Sequence, residues 1–297
     1  MNRSRDIVYH RTASAKSSRL LEFIAVHAFL KHLKHPMLTL AVSATSKAGE
    51  ILKSNFRKKV SIQTKSLANF VSEVDIAAEH SIVTSIREAY PDHAVFAEES
   101  HHEMSSAEHL WVIDPLDGTS NYLHGIPQFA ISIGYMLRGR AEAGVIYNPI
   151  SDDWFYAVRG QGAWHNGVRL SVNQEPTLAD TMVAVGFFYD RGRIMEATLA
   201  AIGEFFRNNI HGVRRFGAAA LDLAQVARGD YGAFMEFKLQ PWDHAAGGLL
   251  VEEAGGRVTN CCGQPLPLQQ PSSILATNGL LHDAVLAIAQ RHYESID

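Results

Sequence analysis

The stretch WVIDPLDGTSN, residues 111–121, joins an apolar run to two carboxylates, a proline and a glycine. The apolar run predicts a strand, and Asp114 and Asp117 follow at its carboxyl end. Pro115 fixes φ and removes a backbone donor, so we expect the chain to turn there with both acids at the strand end. Gly118 lets the backbone approach a ligand closely, and the next amides can open a helix that holds an anion. Hard oxygen ligands beside such an anion site predict that Mg²⁺ and a phosphate bind together.

Two other interpretations compete for this run. An N-capping aspartate in an ordinary βα turn would be simpler, but it leaves the second acid unexplained. Phosphatases that form a covalent aspartyl-phosphate carry Asp-x-Asp-Gly-Thr, with the nucleophile two residues before the second Asp. Pro115 stands at that position here, so the attacking aspartate is missing. The sequence therefore favours attack by metal-activated water.

Further acidic residues fit the same site. Glu98 and Glu99 follow a short predicted strand. Asp243 begins a predicted helix after Pro241, and Asp75 opens another. Each of these has an ordinary interpretation by itself, as an exposed glutamate pair or as a helix N-cap.

The chain changes its pattern about midway. From residue 37 to about 175, helical patterns precede short β runs with turn signals between them, which indicates helices on a largely antiparallel sheet. From about 176 to 297, strands alternate with helices, which is typical of a layered α/β unit. We therefore predict an α/β (α+β) protein in two halves, 37–175 with most of the acids and 176–297 with Asp243. The predicted elements nearest the acids are the helices Ile76–Tyr90 and Trp242–Ala254 and the strands Ala94–Ala97 and His109–Ile113.

Charge is spread unevenly along the chain. Residues 1–36 carry seven Lys and Arg against two acids, or +5, while residues 37–297 carry −9. The acidic body argues against direct nucleic-acid binding, which needs a dense basic face. The apolar run Leu20–Leu30 is too short to span a bilayer, so no membrane association is expected. The adjacent Cys261 and Cys262 cannot close a loop, and we expect both to be reduced in the cytoplasm.

The basic segment 1–36 precedes the helical pattern of the body, which begins at Pro36-Met37. Met37 could be the true start, and we expect residues 1–36 to be a dispensable extension. A transit peptide has a similar composition and is the alternative interpretation.

The sequence resembles the inositol monophosphatase family, and within it the bacterial SuhB-like branch. Residues 113–122 (IDPLDGTSNY) match the first signature of the family, and residues 242–256 (WDHAAGGLLVEEAGG) match the second. The likeness covers about residues 37–292. Three shorter stretches fall in the family's order and spacing: Val71–Asp75, Glu98–Ser100 and Arg215–Asp222.

The resemblance implies a layered α-β-α-β-α sandwich of the inositol monophosphatase and fructose-1,6-bisphosphatase type. It also implies a homodimer that hydrolyses small phosphate monoesters with Mg²⁺ and is sensitive to Li⁺.

Carried over residue by residue, the resemblance implies two or three Mg²⁺ ions per site. Glu98, Asp114 and the carbonyl of Leu116 would hold the first ion. Asp114, Asp117 and Asp243 would hold the second, and a third, weaker ion would lie near Glu98, which also counts among the catalytic residues.

The remaining roles implied by the resemblance concern the water and the substrate. Asp75 and Thr119 would orient and deprotonate the attacking water, and the amides of Gly118 and Thr119 would bind phosphate. Glu236 would bind a hydroxyl of inositol. The same wall would be lined by Gly217, Ala218 and Ala219.

Several functions stay open at this point. Inositol-1-phosphate is the leading substrate, and relatives of the same fold act on fructose 1,6-bisphosphate, adenosine 3′,5′-bisphosphate or NADP. Glu236 favours a polyol over a nucleotide. Some bacterial members that resemble this chain bind the transcription machinery, and the acidic body indicates that such a role would depend on protein contacts.

Overall fold

A computed structural model of the chain describes residues 34–66, 69–100, 107–267 and 269–294, and within these it leaves the side chains of residues 63–70 undescribed. Nearly all of the predicted basic extension, residues 1–36, lies outside the described residues, so its dispensability stays a prediction.

Two helices and a pair of short strands open the described chain. They are α1 (Pro36–Asn55), β1 (Ile62–Ser66), β2 (Asn69–Ser72) and α2 (Glu73–Ala89). α1 begins with Pro36, whose missing amide costs nothing at a helix start. The Nδ1 of His35 accepts the amide of Leu38 at 3.2 Å and so caps the first turn.

α2 begins three residues before the predicted Ile76, and the reason is a capping box. The hydroxyl of Ser72 accepts the amides of Val74 and Asp75, and the Asp75 carboxylate accepts the amide of Ser72. These bonds satisfy backbone donors that have no partner within the helix. The N-cap is therefore Ser72 and not Asp75, which caps the helix as the N3 residue of the box, and these bonds fix the position of its carboxylate.

The first half of the chain also builds a seven-stranded sheet. Its strands are β3 (Ala94–Ala97), β4 (His109–Asp117), β5 (Ala130–Leu137), β6 (Arg140–Asn148), β7 (Asp153–Val158), β8 (Gly162–His165) and β9 (Val168–Arg169), with a short helix α3 (Thr119–Leu123) after β4. The strands lie in chain order, β3 pairs parallel with β4, and the other neighbours pair antiparallel. The prediction of a largely antiparallel sheet is confirmed.

β4 differs from its prediction at the proline. The strand continues through Pro115 to Asp117, whereas we expected it to end at Ile113 and turn. Its register on β5 shifts between Asp114 and Asp117. Asp114 pairs with Ser132 and Asp117 with Ala130, so β4 advances three residues where β5 advances two. This bulge accommodates a residue that cannot donate to the ladder and aims the two acids locally.

The second half of the chain builds a five-stranded sheet and four helices. In chain order these elements are β10 (Met182–Val185), α4 (Arg193–Arg207), β11 (Gly212–Arg214), α5 (Ala219–Arg228), β12 (Ala233–Leu239), α6 (Pro241–Glu253), β13 (Arg257–Thr259), β14 (Ser272–Thr277) and α7 (His282–Tyr293). The strand order is β11-β10-β12-β14-β13. β10 runs parallel to β11 and β12, and β14 runs antiparallel to both of its neighbours.

The elements stack in five layers. α1 and α2 share a buried apolar cluster with the seven-stranded sheet, and α4 and α7 share another with the five-stranded sheet. α5 and α6 lie between the sheets, in a cluster that draws side chains from both. The predicted α-β-α-β-α sandwich is confirmed. No helix of the described ranges is long and apolar enough to cross a membrane.

Small residues set the position of α6 within the middle layer. A Cβ at Gly134 of β5 would lie 3.1 Å from the Cβ of Ala245, and one at Gly144 of β6 would lie 3.0 Å from the Cα of Ala246. On its other side, a Cβ at Gly247 would lie 2.6 Å from Leu223 of α5. α6 is therefore held closely between the seven-stranded sheet and α5.

Candidate active site

Three aspartates converge where β4 ends and α6 begins. Asp114 and Asp117 come from the bulged end of β4, and Asp243 comes from the first turn of α6, after Pro241. Each offers a carboxylate oxygen, and these oxygens lie within 4.8 Å of one another. The structure thus brings together three of the residues predicted to hold metal, although Asp243 follows Asp117 by 126 residues in the sequence.

Backbone amides hold each of these carboxylates in place. Asp114 Oδ1 accepts the amide of Leu116 at 2.9 Å, and Asp117 Oδ2 accepts the amide of Ala220 at 2.7 Å. Asp243 Oδ2 accepts the amide of Gln240 at 2.7 Å, which closes the N-terminal turn of α6. One oxygen of each carboxylate is oriented in this way.

The electrostatics of the three aspartates favour a cation. Burial, together with the charge of Glu98, raises the pKa of Asp117 to about 7, although backbone hydrogen bonds to Ala219 and Ala220 oppose the shift. Burial and the neighbouring carboxylates raise the pKa values of Asp114 and Asp243 well above their usual range. Uncompensated acids so close together repel one another, and a hard divalent cation relieves that repulsion with the oxygen ligands it prefers. The residues present therefore fit a metal site.

Glu98 stands beside this group. It follows β3, its amide donates to the carbonyl of Ile113 at 3.2 Å, and its side chain is half-buried in the wall of the same cavity. Its charge contributes to the raised pKa values of the three aspartates. It is not among the carboxylates whose oxygens meet within 4.8 Å. The predicted fourth metal-holding acid is thus in place at a greater separation.

Asp75 reaches the site through Thr119. The hydroxyl of Thr119 lies 3.2 Å from Asp75 Oδ1 and 3.0 Å from the carbonyl oxygen of Leu116, and its single proton can serve either one. Asp75 is fully buried, and burial raises its pKa to about 6 against the opposing hydrogen bonds from Ser72. Thr119 lines the cavity. A buried carboxylate is therefore connected to the cavity by one hydroxyl.

The turn after Asp117 requires a glycine. Gly118 has φ of 88°, and a Cβ there would lie 3.0 Å from the carbonyl oxygen of Gln128 and 3.2 Å from that of Gly217. Gly217, with Ala218 and Ala219, belongs to the wall that faces this turn. Because side chains are small or absent on both walls, the backbone of the turn is accessible from the cavity.

The cavity that joins these residues has a volume of about 320 Å³. Glu236 of β12 lines it, as the sequence predicted, and is buried. Burial and the charges of Asp243 and Asp222 raise the pKa of Glu236 well above its usual range. All the predicted substrate-binding residues border this one cavity.

Sequence reasoning missed part of the cavity wall. The run Gly186–Tyr189 follows β10 and contributes three aromatic side chains to the cavity wall. Partial burial of the Tyr189 phenol and the charges of the nearby acids raise its pKa. Arg215 and Asp222 also line the cavity. Both lie in a stretch that carried the resemblance, yet no role was predicted for either. The signal for the aromatic run was its place just after a strand end.

Comparisons with known proteins agree with this geometry. The model of the inositol monophosphatase family matches residues 33–294, and the chain belongs to this family. The protein "Nus factor SuhB" of Pseudomonas aeruginosa is 42% identical over 265 residues, which cover 86% of this chain and 97% of that protein.

Solved structures have the same fold. The IMPase of Thermotoga maritima superposes with a TM-score of 0.81 at 31% identity, covering 89% of this chain and 100% of that one. An IMPase-II of Staphylococcus aureus with inositol monophosphate bound gives a TM-score of 0.73 at 31% identity, covering 87% and 96%. Family membership and the acidic cluster together support a phosphatase that can hold metal.

Proposed function

We propose that this chain is an Mg²⁺-dependent phosphatase that hydrolyses inositol-1-phosphate to inositol and phosphate. One observation carries the proposal: three aspartates with oxygens within 4.8 Å share a cavity with Glu236 and with Thr119, whose hydroxyl contacts the buried Asp75. The staphylococcal relative is solved with inositol monophosphate bound and also with 2′-AMP bound, which supports a small phosphate ester, and Glu236 in the cavity wall supplies the preference for a polyol.

Five groups would hold the metal in this proposal. Glu98, Asp114 and the Leu116 carbonyl would hold one Mg²⁺, Asp114, Asp117 and Asp243 a second, with a third, weaker ion near Glu98. Bound Mg²⁺ supplies positive charge that offsets the phosphate dianion and lowers the pKa of a bound water.

Asp75 and Thr119 would orient the attacking water and accept its proton. Thr119 Oγ1 faces the cavity and can accept a hydrogen bond from water while it donates to Asp75 Oδ1. With a pKa of about 6, Asp75 is mostly ionised at pH 7 and can receive the proton. Its burial keeps bulk water from competing for that role.

Substrate binding would divide between two walls. The amides of Gly118 and Thr119 would donate to the phosphate oxygens, since both residues line the cavity. Glu236 would bind a hydroxyl of the alcohol, beside the wall formed by Gly217, Ala218 and Ala219.

A phosphate-release assay tests the proposal directly. The purified chain is given inositol-1-phosphate, fructose 1,6-bisphosphate, adenosine 3′,5′-bisphosphate and NADP, each with Mg²⁺, with EDTA, and with Mg²⁺ plus Li⁺. We expect the highest kcat/KM on inositol-1-phosphate, loss of activity in EDTA and inhibition by Li⁺. A clear preference for a nucleotide or for the bisphosphate sugar would contradict the proposed substrate.

A second candidate function rests on the names of the relatives. "Nus factor SuhB" proteins of Pseudomonas aeruginosa and Escherichia coli are 42% and 43% identical to this chain. As the alternative, we propose that the chain binds a protein of the transcription machinery. For either function we propose that it is a homodimer in the cytoplasm. An affinity pull-down with Asp117→Asn protein separates the two functions, because a binding role survives the loss of turnover.

A further inference from the structure

Asp222 is the one buried carboxyl of the cavity wall that the proposed function leaves without a task. It lies in the first turns of α5 and is 1% exposed. Within the part of the chain that the structure describes, its Oδ1 has no hydrogen-bond partner. Buried polar atoms are nearly always paired, because a carboxyl oxygen removed from water without a donor destabilises the fold.

The neighbouring amides do not serve Asp222. The amide of Ala220 is taken by Asp117, and the amide of Asp222 itself donates to the carbonyl of Ala218 within the helix. No secondary-structure or capping role therefore accounts for the side chain. Its position in the cavity wall makes a ligand the natural partner.

Two charged residues define what that ligand can be. Glu236 lines the same cavity, and its charge and that of Asp222 act on one another. Of the described residues that line the cavity, Arg215 is the only basic one, and its charge acts on both carboxyls. Among the described residues, no ion pair joins Arg215 to Asp222 or Glu236, so the three groups leave room between them.

We propose that Asp222 is a specificity-determining residue that binds one hydroxyl of the alcohol part of the substrate, next to the hydroxyl bound by Glu236. The inference rests on the proposed function and deepens it. A hydroxyl donates to a carboxyl and accepts from a guanidinium, so adjacent hydroxyls of a polyol satisfy this trio of groups. A second phosphate would meet two carboxyls, and an aromatic alcohol would leave them unpaired.

The test compares two esters in four proteins. Wild type, Asp222→Leu, Asp222→Asn and Asp230→Leu are assayed with Mg²⁺ on inositol-1-phosphate and on 4-nitrophenyl phosphate, whose alcohol has no further hydroxyl. Asp230 lies just after α5, is exposed, and is absent from the cavity wall, so it is the matched control. Melting temperatures of all four proteins are recorded.

We expect Asp222→Leu to raise KM for inositol-1-phosphate about tenfold or more, the effect of one lost hydrogen bond to a strongly polar group. Its kinetics on 4-nitrophenyl phosphate should change less than about twofold, and its melting temperature should be unchanged or higher, because an unpartnered buried carboxyl is removed. Asp222→Asn keeps a hydrogen-bond acceptor and should retain part of the preference for inositol-1-phosphate over 4-nitrophenyl phosphate. Asp230→Leu should behave as wild type.

Three results would overturn the inference. These are an equal loss on both esters, a preference for inositol-1-phosphate unchanged in Asp222→Leu, or a lowered melting temperature as its sole effect. If wild type does not hydrolyse inositol-1-phosphate, that result alone refutes the proposed substrate. In that case kcat/KM is measured for the polyol phosphate that wild type hydrolyses best and is divided by kcat/KM for 4-nitrophenyl phosphate. If this ratio is the same in wild type and Asp222→Leu, the role of Asp222 is refuted independently. Wild type active on no polyol phosphate refutes both.

Discussion

Gly186 lies against the carboxyl of Glu236, so closely that a Cβ at position 186 would lie 1.7 Å from Oε2. Because Gly186 has no side chain, the carboxyl of Glu236 can occupy this part of the cavity wall. No other contact in the described cavity depends so directly on a single missing methyl group.

Gly186→Ala should therefore displace Glu236 and weaken binding of the alcohol. We expect KM for inositol-1-phosphate to rise about tenfold while kcat changes much less, because the reacting groups lie elsewhere in the cavity. Steady-state kinetics measure both constants. Gly203→Ala is the control for an added methyl group, since Gly203 lies within α4 and outside the cavity wall, and a Cβ there would meet only the end of the Arg207 side chain, at 3.4 Å. An unchanged KM in Gly186→Ala would contradict this role of Glu236.

Mg²⁺ should stabilise the folded chain. It binds the assembled aspartates and not the unfolded chain, and it relieves the repulsion that raises the pKa values of Asp114 and Asp243. Thermal unfolding in EDTA and in several millimolar Mg²⁺ should differ by about 5 °C or more. Na⁺ at matched ionic strength controls for screening. Equal melting temperatures would argue against a metal site here.

Asp117→Asn should separate folding from turnover. Asn keeps the acceptor for the Ala220 amide but removes a charge from the cluster. We expect kcat to fall at least about 100-fold, since metal ligands contribute several kcal/mol. The melting temperature in EDTA should rise or stay level, and the Mg²⁺-induced shift should shrink. Retention of more than about a tenth of the rate would show that the metal lies elsewhere.

Thr119 should be replaceable by serine but not by valine. Valine removes the hydroxyl that connects the cavity to Asp75, and loss of such a proton path costs about 100-fold or more in kcat. Serine keeps the hydroxyl, so Thr119→Ser should stay within about tenfold of wild type. Phosphate release measures both variants. Similar activity of the serine and valine variants would exclude the proton path.

His282 should make the fold sensitive to acid. It is buried, its ring nitrogens lie 3.1 Å and 3.0 Å from the hydroxyls of Thr259 and Thr277, and burial lowers its pKa from 6.5 to about 4. The unfolded chain binds this proton below pH 6.5 and the folded chain does not, so stability is lost as pH falls from 6.5 toward 4.

His282→Gln removes that titration. Urea unfolding at pH 7.5 and pH 5.0 in constant Mg²⁺ should show the variant less stable than wild type at the higher pH. The difference should narrow by about 1–2 kcal/mol at pH 5, since each unit between the two pKa values is worth about 1.4 kcal/mol. A difference that is constant with pH would mean that the pKa of His282 is the same in the folded and the unfolded chain.

Much of the site could be predicted where local pattern decides it. An apolar run that ends in Asp114 and Asp117, and a proline before Asp243, both place acids at the end of an element, and the structure has them there. The pattern of elements indicated an α/β chain with a largely antiparallel sheet in its first part, whereas the five layers were implied by the family resemblance.

Other features depend on contacts that no local pattern encodes. The bulge at Pro115 depends on pairing with β5, and the approach of Gly186 to Glu236 depends on how β10 and β12 are paired. The start of α2 was misjudged because the box between Ser72 and Asp75 extends the helix beyond its apolar pattern. Asp222 Oδ1 lacks a hydrogen-bond partner in the described ranges, and the nearby amide of Ala220 donates instead to Asp117, a contact between residues more than a hundred positions apart.

The close packing of α6 has a consequence at a distance. Ala246 is fixed against Gly144 three residues after Asp243, so the separation between the acids of β4 and that of α6 is inherited from the contact of a helix backbone with a sheet. A methyl group added at position 144 would lengthen that separation without touching the cavity. In the proposed metal site, the affinity for the ion and the choice between ions of different radius would therefore depend partly on the apolar interior, which no solute in the cavity contacts.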